Sequence, residues 1–267
     1  MSRFNTITFL SDFGTADEST GVCRSILREL SPDTVVVDLA HELPLGDVRL
    51  ASLMLARSVP YLAPGIVLAS VGRSMDRPCI AVEVGEGQAY LVGPDNGLLA
   101  AAVAVVGGAG RAVRLTSDDH QLASPGSVHE GRDILTPAAG HLAAGVPMEE
   151  LGEMVEPAGL VPSLMPVPRI DDNGAIVAEV LFVDRRGSAQ LNIDREALED
   201  FGEVVVLAFR DERRVVKVIP EGHTVATGQY GLAEDVHGLL SVVAGSGSAA
   251  ADLRMEIGTE VIVTEAT

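Results

Sequence analysis

The 267-residue chain has no tryptophan, and aromatic residues make up only 3% of it. A bound ring must therefore be held mainly by aliphatic side chains and backbone groups. Cysteine is almost as scarce: Cys23 and Cys79 both lie in apolar surroundings, with no C-x-x-C pair and no Cys/His cluster. Two reduced, buried thiols in a cytoplasmic protein are the expected state.

Basic residues are also few, since 19 Lys and Arg stand against 38 Asp and Glu, for a net charge of −19. Such a surface repels polyanions, so we expect no nucleic-acid partner. No apolar run approaches the roughly 20 residues needed to cross a bilayer, and the N-terminus does not resemble a signal peptide. The six histidines show no metal-ligand spacing. We expect a cytoplasmic protein with no membrane segment and no metal site.

Residues 1–158 alternate apolar strands with amphipathic helices. This alternation predicts an N-terminal α/β domain with a largely parallel sheet, whose C-terminal strand ends are the usual place for ligands. The predicted strands are 5–10, 34–40, 65–72, 79–85 and 88–94, and the predicted helices are 17–30, 46–62, 96–107 and 131–145.

The character of the chain changes near residue 160. The segment 157–174 carries four prolines, so we place a linker at 159–174. Short strands with Gly and Asp turns then recur over 175–267, which predicts a smaller C-terminal all-β, barrel-like domain. Its predicted strands are 175–184, 188–193, 202–210, 213–220, 238–246 and 260–266.

The first predicted strand runs into an acidic turn, "SDFGTADES". A carboxylate can accept two charge-assisted hydrogen bonds from a diol, and nucleoside-binding folds hold a ribose in this way at a strand end. Asp12 is the candidate for that role, because it lies several residues before the helix. Asp17 has an equally plausible structural role as the cap of that helix.

Four later turns carry further candidates or structural motifs. In "VHEGRDILTP", His129 and Glu130 flank Gly131 before a helix; this density of titratable groups fits a ligand site or solvated charge about equally. Asp184, followed by Ser188, could bind an ammonium group or simply form a hairpin turn. "GSGSAA" (245–250) is expected to be a tight turn beside a ligand or at a barrel corner, and "GPDNGLL" (93–99) to be an Asx turn capping a helix.

Six segments, taken in order, resemble the S-adenosylmethionine (SAM) hydroxide adenosyltransferase family, also called SAM hydrolases, whose superfamily includes fluorinase and chlorinase. The resemblance implies an N-terminal α/β domain, a C-terminal β domain, and a homotrimer that binds SAM between subunits. It also implies displacement at C5′ of SAM by water, giving adenosine and L-methionine without a cofactor. The segments are "SDFGTADES", "VVVDLAHELPLGDV", "LVGPDNGLL", "GRDILTPAAGHLAAG", "VDRRGSAQLNI" and "GLLSVVAGSGSAA".

The resemblance also implies roles for particular residues. Asp12 would accept hydrogen bonds from the ribose hydroxyls, and Asp184 would bind the methionine ammonium group. Gly245 stands where the family usually has an asparagine that contacts adenine. The other positions implied to line the substrate site are Asp17, Ser19, Gly131 and Ser188.

The catalytic positions depart from the family pattern, in which an Asp, an Arg and a His position and deprotonate water. Arg77 matches the Arg, but Ser70 occupies the Asp position. The His position falls on Glu130 without a gap and on His129 with a one-residue insertion; Asp76 is a further candidate for activating water. We therefore expect first a hydrolase with altered water activation. The alternatives are a chloride-using transferase, for which Ser70 removes a repelling carboxylate, and a SAM- or adenosine-binding protein with little turnover.

Overall fold

The computed structural model describes residues 4–73 and 77–266, so Asp76 lies outside the described residues. The chain divides into two compact units, residues 1–165 and 166–267. The division falls within the proline-containing segment 159–174, which also holds the two-residue strand β8 (Arg169–Ile170).

Unit 1 is an α/β domain, as the sequence predicts. Within the described ranges its sheet has seven strands in the order β2-β1-β3-β5-β4-β6-β7. Strands β2, β1, β3 and β5 run parallel to one another, whereas β4, β6 and β7 are antiparallel additions. The elements are β1 (Thr6–Ser11), α1 (Ser19–Leu30), β2 (Val35–Ala40), α2 (Val48–Ser58), β3 (Ile66–Ser70), β4 (Cys79–Val84), β5 (Ala89–Pro94), α3 (Ala100–Val105), β6 (Ala109–Leu115), α4 (Thr136–Ala144) and β7 (Gly152–Val155).

Helices cover both faces of this sheet, which explains the continuous apolar runs of its central strands. Successive strand side chains point to opposite faces. Phe9 accordingly joins the core formed with α1 and α4, while Leu10 joins the core formed with α2 and α3. The ends of β1 and β3 are thereby fixed on both sides, and the candidate site begins there.

Two details of unit 1 differ from the expectation. Strands β6 and β7 were not predicted, because their residues alternate poorly and several are exposed. The predicted helix 131–145 consists of a π-helical turn, Glu130–Leu135, that continues into α4. Such π-turns are rare and often occur at functional sites.

Unit 2 is a closed β-barrel, which confirms the barrel-like prediction. In the described residues, seven strands form the ring β9-β10-β14-β13-β12-β11-β15, closed by pairing of β9 with β10 and of β15 with β9. The elements are β9 (Ile176–Val183), β10 (Ala189–Asp194), β11 (Val204–Phe209), β12 (Glu212–Val218), β13 (Tyr230–Glu234), β14 (Leu239–Ala244), α5 (Ala249–Asp252) and β15 (Glu260–Glu265).

None of the helices in residues 4–73 and 77–266 is both long enough and apolar enough to span a membrane.

Candidate active site

The carboxyl ends of β1 and β3 lie side by side in unit 1. Ser11 and Ser70 are register partners in this parallel pair. The next residue, Asp12, donates its backbone N–H to the carbonyl of Ser70 at 3.2 Å. Two of the predicted site residues, Asp12 and Ser70, are therefore neighbours at the edge of the sheet where α/β proteins bind ligands.

The carboxylate of Asp12 already organises the loops around it. Its Oδ2 accepts hydrogen bonds from the backbone N–H groups of Gly46, at 2.8 Å, and Gly72, at 3.0 Å. Its Oδ1 has no hydrogen-bond partner among the described residues. One oxygen thus fixes the carboxylate, while the other remains available to a ligand.

Asn96 holds one of these loops from the other side. Its Nδ2 donates to the carbonyls of Val71, at 3.1 Å, and Arg73, at 3.2 Å, and its Oδ1 accepts from the Leu98 N–H. The last contact is the predicted Asx turn, but it does not cap the next helix, because the N-cap of α3 is Leu99 and accepts no bond through its side chain. Asn96 therefore positions the segment from which Gly72 reaches Asp12.

Two of the catalytic candidates of unit 1, Ser70 and His129, meet at Gly131. A Cβ atom on Gly131 would lie 2.4 Å from Cζ of Phe13, 2.6 Å from Oγ of Ser70 and 3.3 Å from Cε1 of His129. The rings of Phe13 and His129 also pack edge to face, with centroids 5.2 Å apart. Sequence reasoning expected Ser70, His129 and Gly131 to share a site, but it missed Phe13.

His129 caps the π-helical turn, and this fixes its hydrogen-bonding role. Its Nδ1 accepts the backbone N–H of Arg132 at 3.1 Å, so a neutral His129 ring carries its proton on Nε2. His129 therefore presents a hydrogen-bond donor to whatever lies beside Nε2. Glu130 is the half-buried first residue of the same turn.

Asp133 anchors this turn from beneath. It accepts the backbone N–H of His129 at 2.8 Å and pairs with Nε of Arg132 at 2.6 Å. Burial alone would raise the pKa of Asp133, but the hydrogen bonds from Arg132 and His129 outweigh it and lower the pKa overall. A buried, ionised carboxylate thus holds the backbone that carries His129.

Arg77 is engaged elsewhere. Its Nε donates to Oδ2 of Asp95 at 2.5 Å, and its guanidinium also donates to the carbonyl of Gly159 at 2.7 Å. Oδ1 of Asp95 accepts from the Val161 N–H at 2.8 Å. The described hydrogen bonds of Arg77 therefore secure the 159–161 segment and do not reach Ser70 or His129.

Asp17 forms a turn that leads into α1. Its Oδ1 accepts the Ser19 N–H at 2.9 Å, but the N-cap of α1 is Glu18, so the structure does not confirm Asp17 as the cap. Hydrogen bonds from the backbone and the side chain of Ser19 lower the pKa of Asp17. Asp17 is exposed, and Ser19 is the half-buried first residue of α1.

The candidates in unit 2 share one end of the barrel. Oδ1 of Asp184 accepts the N–H groups of Arg186 and Ser188, both at 2.8 Å, and so forms the β9–β10 turn. The carbonyl of Gly187 in that turn accepts from the Ala250 N–H at 2.8 Å. A Cβ on Gly245 would lie 2.0 Å from the carbonyl oxygen of Ala226, so this position has no room for a side chain.

The described residues contain no group of three or more His, Cys, Asp and Glu side chains that could hold a metal ion.

Comparison with known proteins identifies the family. Residues 7–152 match the SAM hydroxide adenosyltransferase N-terminal domain, and residues 178–262 match the SAM hydroxide adenosyltransferase C-terminal domain. The chain is 37% identical to an (R)-S-adenosyl-L-methionine hydrolase of Salinispora tropica over 97% of each chain. It is 36% identical to one of Thermus thermophilus, over 96% of this chain and 98% of that one.

More distant relatives include a fluorinase of Actinopolyspora mzabensis, 27% identical over 73% of this chain and 74% of the fluorinase. A crystal structure of an uncharacterized conserved protein from Thermotoga maritima superposes with a TM-score of 0.83 at 26% identity, covering 97% of this chain and all of that one. Both family domains match in the expected order and together span most of the chain. The chain belongs to the SAM hydroxide adenosyltransferase family.

Proposed function

We propose that this protein is a SAM hydrolase that uses water to cleave SAM into adenosine and L-methionine. Relatives that match nearly its whole length carry the name (R)-S-adenosyl-L-methionine hydrolase. The observation that carries the proposal is the meeting of Ser70, His129 and Gly131 beside Asp12 at the ends of β1 and β3.

Asp12 holds the ribose in this proposal. Its Oδ1 accepts hydrogen bonds from the 2′- and 3′-hydroxyls, and such charge-assisted bonds are short and strong. Because Gly46 and Gly72 already fix Oδ2, the carboxylate does not have to be ordered when the nucleoside binds. The sugar is then held with its C5′ carbon directed toward the neighbouring groups.

The attacking water lies between Ser70 and His129. The Ser70 hydroxyl both donates and accepts hydrogen bonds, and Nε2–H of His129 donates to the water oxygen. The water oxygen forms a bond to C5′ as the C5′–S bond breaks, and the electron pair of that bond neutralises the sulfonium. Methionine leaves as a neutral thioether, and the proton lost by the attacking water passes to solvent. The protein contributes chiefly by aiming and partly desolvating the nucleophile.

The barrel of unit 2 supplies the methionine subsite. Only Oδ1 of Asp184 takes part in the hydrogen bonds of the turn. Oδ2 can therefore accept a hydrogen bond from the substrate ammonium group, with Ser188 beside it. We propose that the working enzyme is a homotrimer, as the family resemblance implies. Light scattering should then give three times the monomer mass, and a monomer that cleaves SAM at full rate would contradict this.

A chloride-dependent reaction is the second candidate, and Ser70 favours it. A carboxylate at this position would repel an attacking halide by several kcal/mol in a poorly screened site, on the order of the Coulomb energy of close charges. The neutral hydroxyl of Ser70, next to Gly131, removes that electrostatic repulsion. Chloride would then form the bond to C5′, giving 5′-chloro-5′-deoxyadenosine and L-methionine.

Product analysis decides between these functions. Purified protein is incubated with SAM in ¹⁸O-labelled water, with and without chloride, and the products are identified by mass spectrometry. A hydrolase gives equal amounts of methionine and adenosine, with the label at the 5′ oxygen. A chlorinated nucleoside would favour the second candidate, and a rise in melting temperature with SAM but no products would indicate a binding protein.

Two variants test whether the products come from this site. Asp12→Ala should lose most activity at low SAM concentration, because it removes the ribose acceptor. Glu18→Ala is the matched control, since Glu18 is an exposed acid of the same turn whose side chain does not cap the helix. Equal activity of both variants would refute the assignment.

We also propose that the reaction needs no cofactor and takes place in the cytoplasm. Dialysis against a chelator should leave the rate unchanged, and cell fractionation should recover the protein with cytoplasmic markers. Recovery of activity only after a metal is added back would overturn the first proposal.

A further inference from the structure

A chain of hydrogen bonds, buried at its Ser11 end, lies directly behind the acidic turn. Oγ of Ser11 is 2.7 Å from Nδ1 of His41, and Nε2 of His41 is 2.9 Å from Oδ1 of Asp38. Asp38 in turn accepts from Nε of Arg24 at 3.1 Å. Ser11 is fully buried and His41 is 6% exposed, whereas Asp38 and Arg24 lie nearer the surface. The function proposed above does not use these residues.

The direction of each hydrogen bond in this chain follows from Asp38. Burial acts to raise its pKa, but the hydrogen bonds from His41 and Arg24 outweigh this and lower it overall, so Asp38 is an ionised acceptor. His41 therefore donates from Nε2, and in its neutral form it accepts at Nδ1. The Ser11 hydroxyl must then donate to His41, which leaves its oxygen available to the Phe13 N–H, 3.5 Å away.

The main chain of His41 supports the same turn. Its carbonyl accepts the Gly14 N–H at 2.8 Å, and the neighbouring Glu42 accepts the hydroxyl of Thr15. Gly46, a few residues further along, donates to Asp12. The turn 11–15 is thus attached to segment 41–46 on both sides of Asp12, and Ser11 provides the buried attachment.

Burial argues against a reaction at Ser11 itself. Its side chain is 0% exposed, so a substrate atom cannot approach Oγ without displacing the core around Phe9, whose ring packs edge to face on His41. A serine, a histidine and an aspartate arranged in this way are therefore not a nucleophilic triad. The chain acts through its neighbours.

We propose that Ser11, His41 and Asp38 form a positioning relay that sets the Asp12 carboxylate for the ribose hydroxyls. The relay helps the protein to recognise the sugar diol. This inference rests on the proposed ribose-binding role of Asp12. Without the relay, Asp12 keeps its charge and its bonds to Gly46 and Gly72, but the turn that carries it loses its buried attachment to His41, so Oδ1 is held less firmly.

The test compares two nucleosides that differ only in the diol. Affinities for adenosine and 2′,3′-dideoxyadenosine are measured by calorimetry for the wild-type protein and for Ser11→Ala. The wild-type protein should prefer adenosine by at least about tenfold, the value of a charge-assisted hydrogen bond. Ser11→Ala should weaken adenosine binding about five- to tenfold and leave dideoxyadenosine binding unchanged.

Ser52→Ala is the matched control. Ser52 is another fully buried serine of unit 1, in α2, and its Oγ has no hydrogen-bond partner among the described residues. Removing its hydroxyl should leave the ratio of the two affinities at the wild-type value. A general loss of packing would instead lower both affinities equally in either variant.

His41→Asn provides a second route, in case Ser11→Ala melts below the assay temperature. It shortens the side chain so that one group can no longer contact both Ser11 and Asp38, and the affinity ratio should fall as it does in Ser11→Ala. An unchanged ratio in folded variants overturns the relay while the ribose role of Asp12 stands. A wild-type protein that binds both nucleosides equally overturns that role and the relay together.

Discussion

Replacing Arg77 with alanine separates a structural role from a catalytic one. The structure pairs Arg77 with Asp95, whose side chain is only 3% exposed, and the same carboxylate accepts one backbone N–H, from Val161. Arg77→Ala would leave a buried charge with that single described partner. We therefore expect the main effect to be on the stability of unit 1.

The expected loss of stability is smaller than that for a fully buried ion pair. Removing one partner of a fully buried ion pair costs about 3–5 kcal/mol, because the other charge remains uncompensated. The Arg77 side chain is 40% exposed, so water can enter and replace part of its contribution. We therefore expect a loss of about 1.5–3 kcal/mol in the free energy of unfolding, the range for hydrogen bonds to charged groups.

The loss in the free energy of unfolding is measured by urea denaturation of four proteins: wild type, Arg77→Ala, Asp95→Asn and the double variant. If the two side chains act as a pair, the double variant loses less stability than the sum of the single losses, by about 1 kcal/mol or more. A loss below about 0.5 kcal/mol for Arg77→Ala, with additive single effects, would refute the structural role. A fall in turnover without a fall in stability would then support the catalytic role implied by the family resemblance.

Three further changes test the site in unit 1. Asp12→Ala should weaken SAM binding by about 1.5–3 kcal/mol, measured by calorimetry, and near-wild-type affinity would contradict the ribose role. Gly131→Ala should cost about 1–3 kcal/mol of stability and most of the turnover, because its methyl group overlaps Phe13 and Ser70; normal kinetics would exclude that crowding. The lowered pKa of Asp133 stabilises the fold above its unfolded pKa, near 4, and this is lost on acidification. Asp133→Asn should therefore be less stable at pH 7, and the difference should shrink in urea melts below about pH 4.

The strands of the sheet could be predicted where all of their residues are buried. β3 and β4 are buried at every position, and both read directly as apolar runs. β6 begins with exposed and half-buried residues, including Arg111 within the strand, and it is a strand because it pairs with β4. Tertiary pairing of this kind leaves little local pattern to detect.

From the residues alone, the site was predictable where its members are close in sequence, and the family resemblance added the distant group of Ser70, His129 and Gly131. The acidic turn could be recognised because Asp12, Asp17 and Ser19 lie together. The contact of Ser11 with His41 depends on the parallel register of β1 and β2, which includes an irregularity between Phe9 and Leu10. The segment "VDLAHE" did indicate a carboxylate and an imidazole at the end of the second strand. Only the strand register shows that the imidazole contacts Ser11.

The serine at position 70, where the family resemblance implies an aspartate, bears on the charge near Asp12. The backbones of Ser70 and Asp12 are hydrogen-bonded to each other, so a carboxylate at position 70 would place two like charges on adjacent strand ends. Like charges at short range repel each other. The neutral Ser70 hydroxyl places no such charge beside the carboxylate that we propose binds the ribose. In the proposed mechanism, the Ser70 hydroxyl and Nε2–H of His129 hold the nucleophile. A water molecule uses both, because it must donate as well as accept, whereas a halide only accepts.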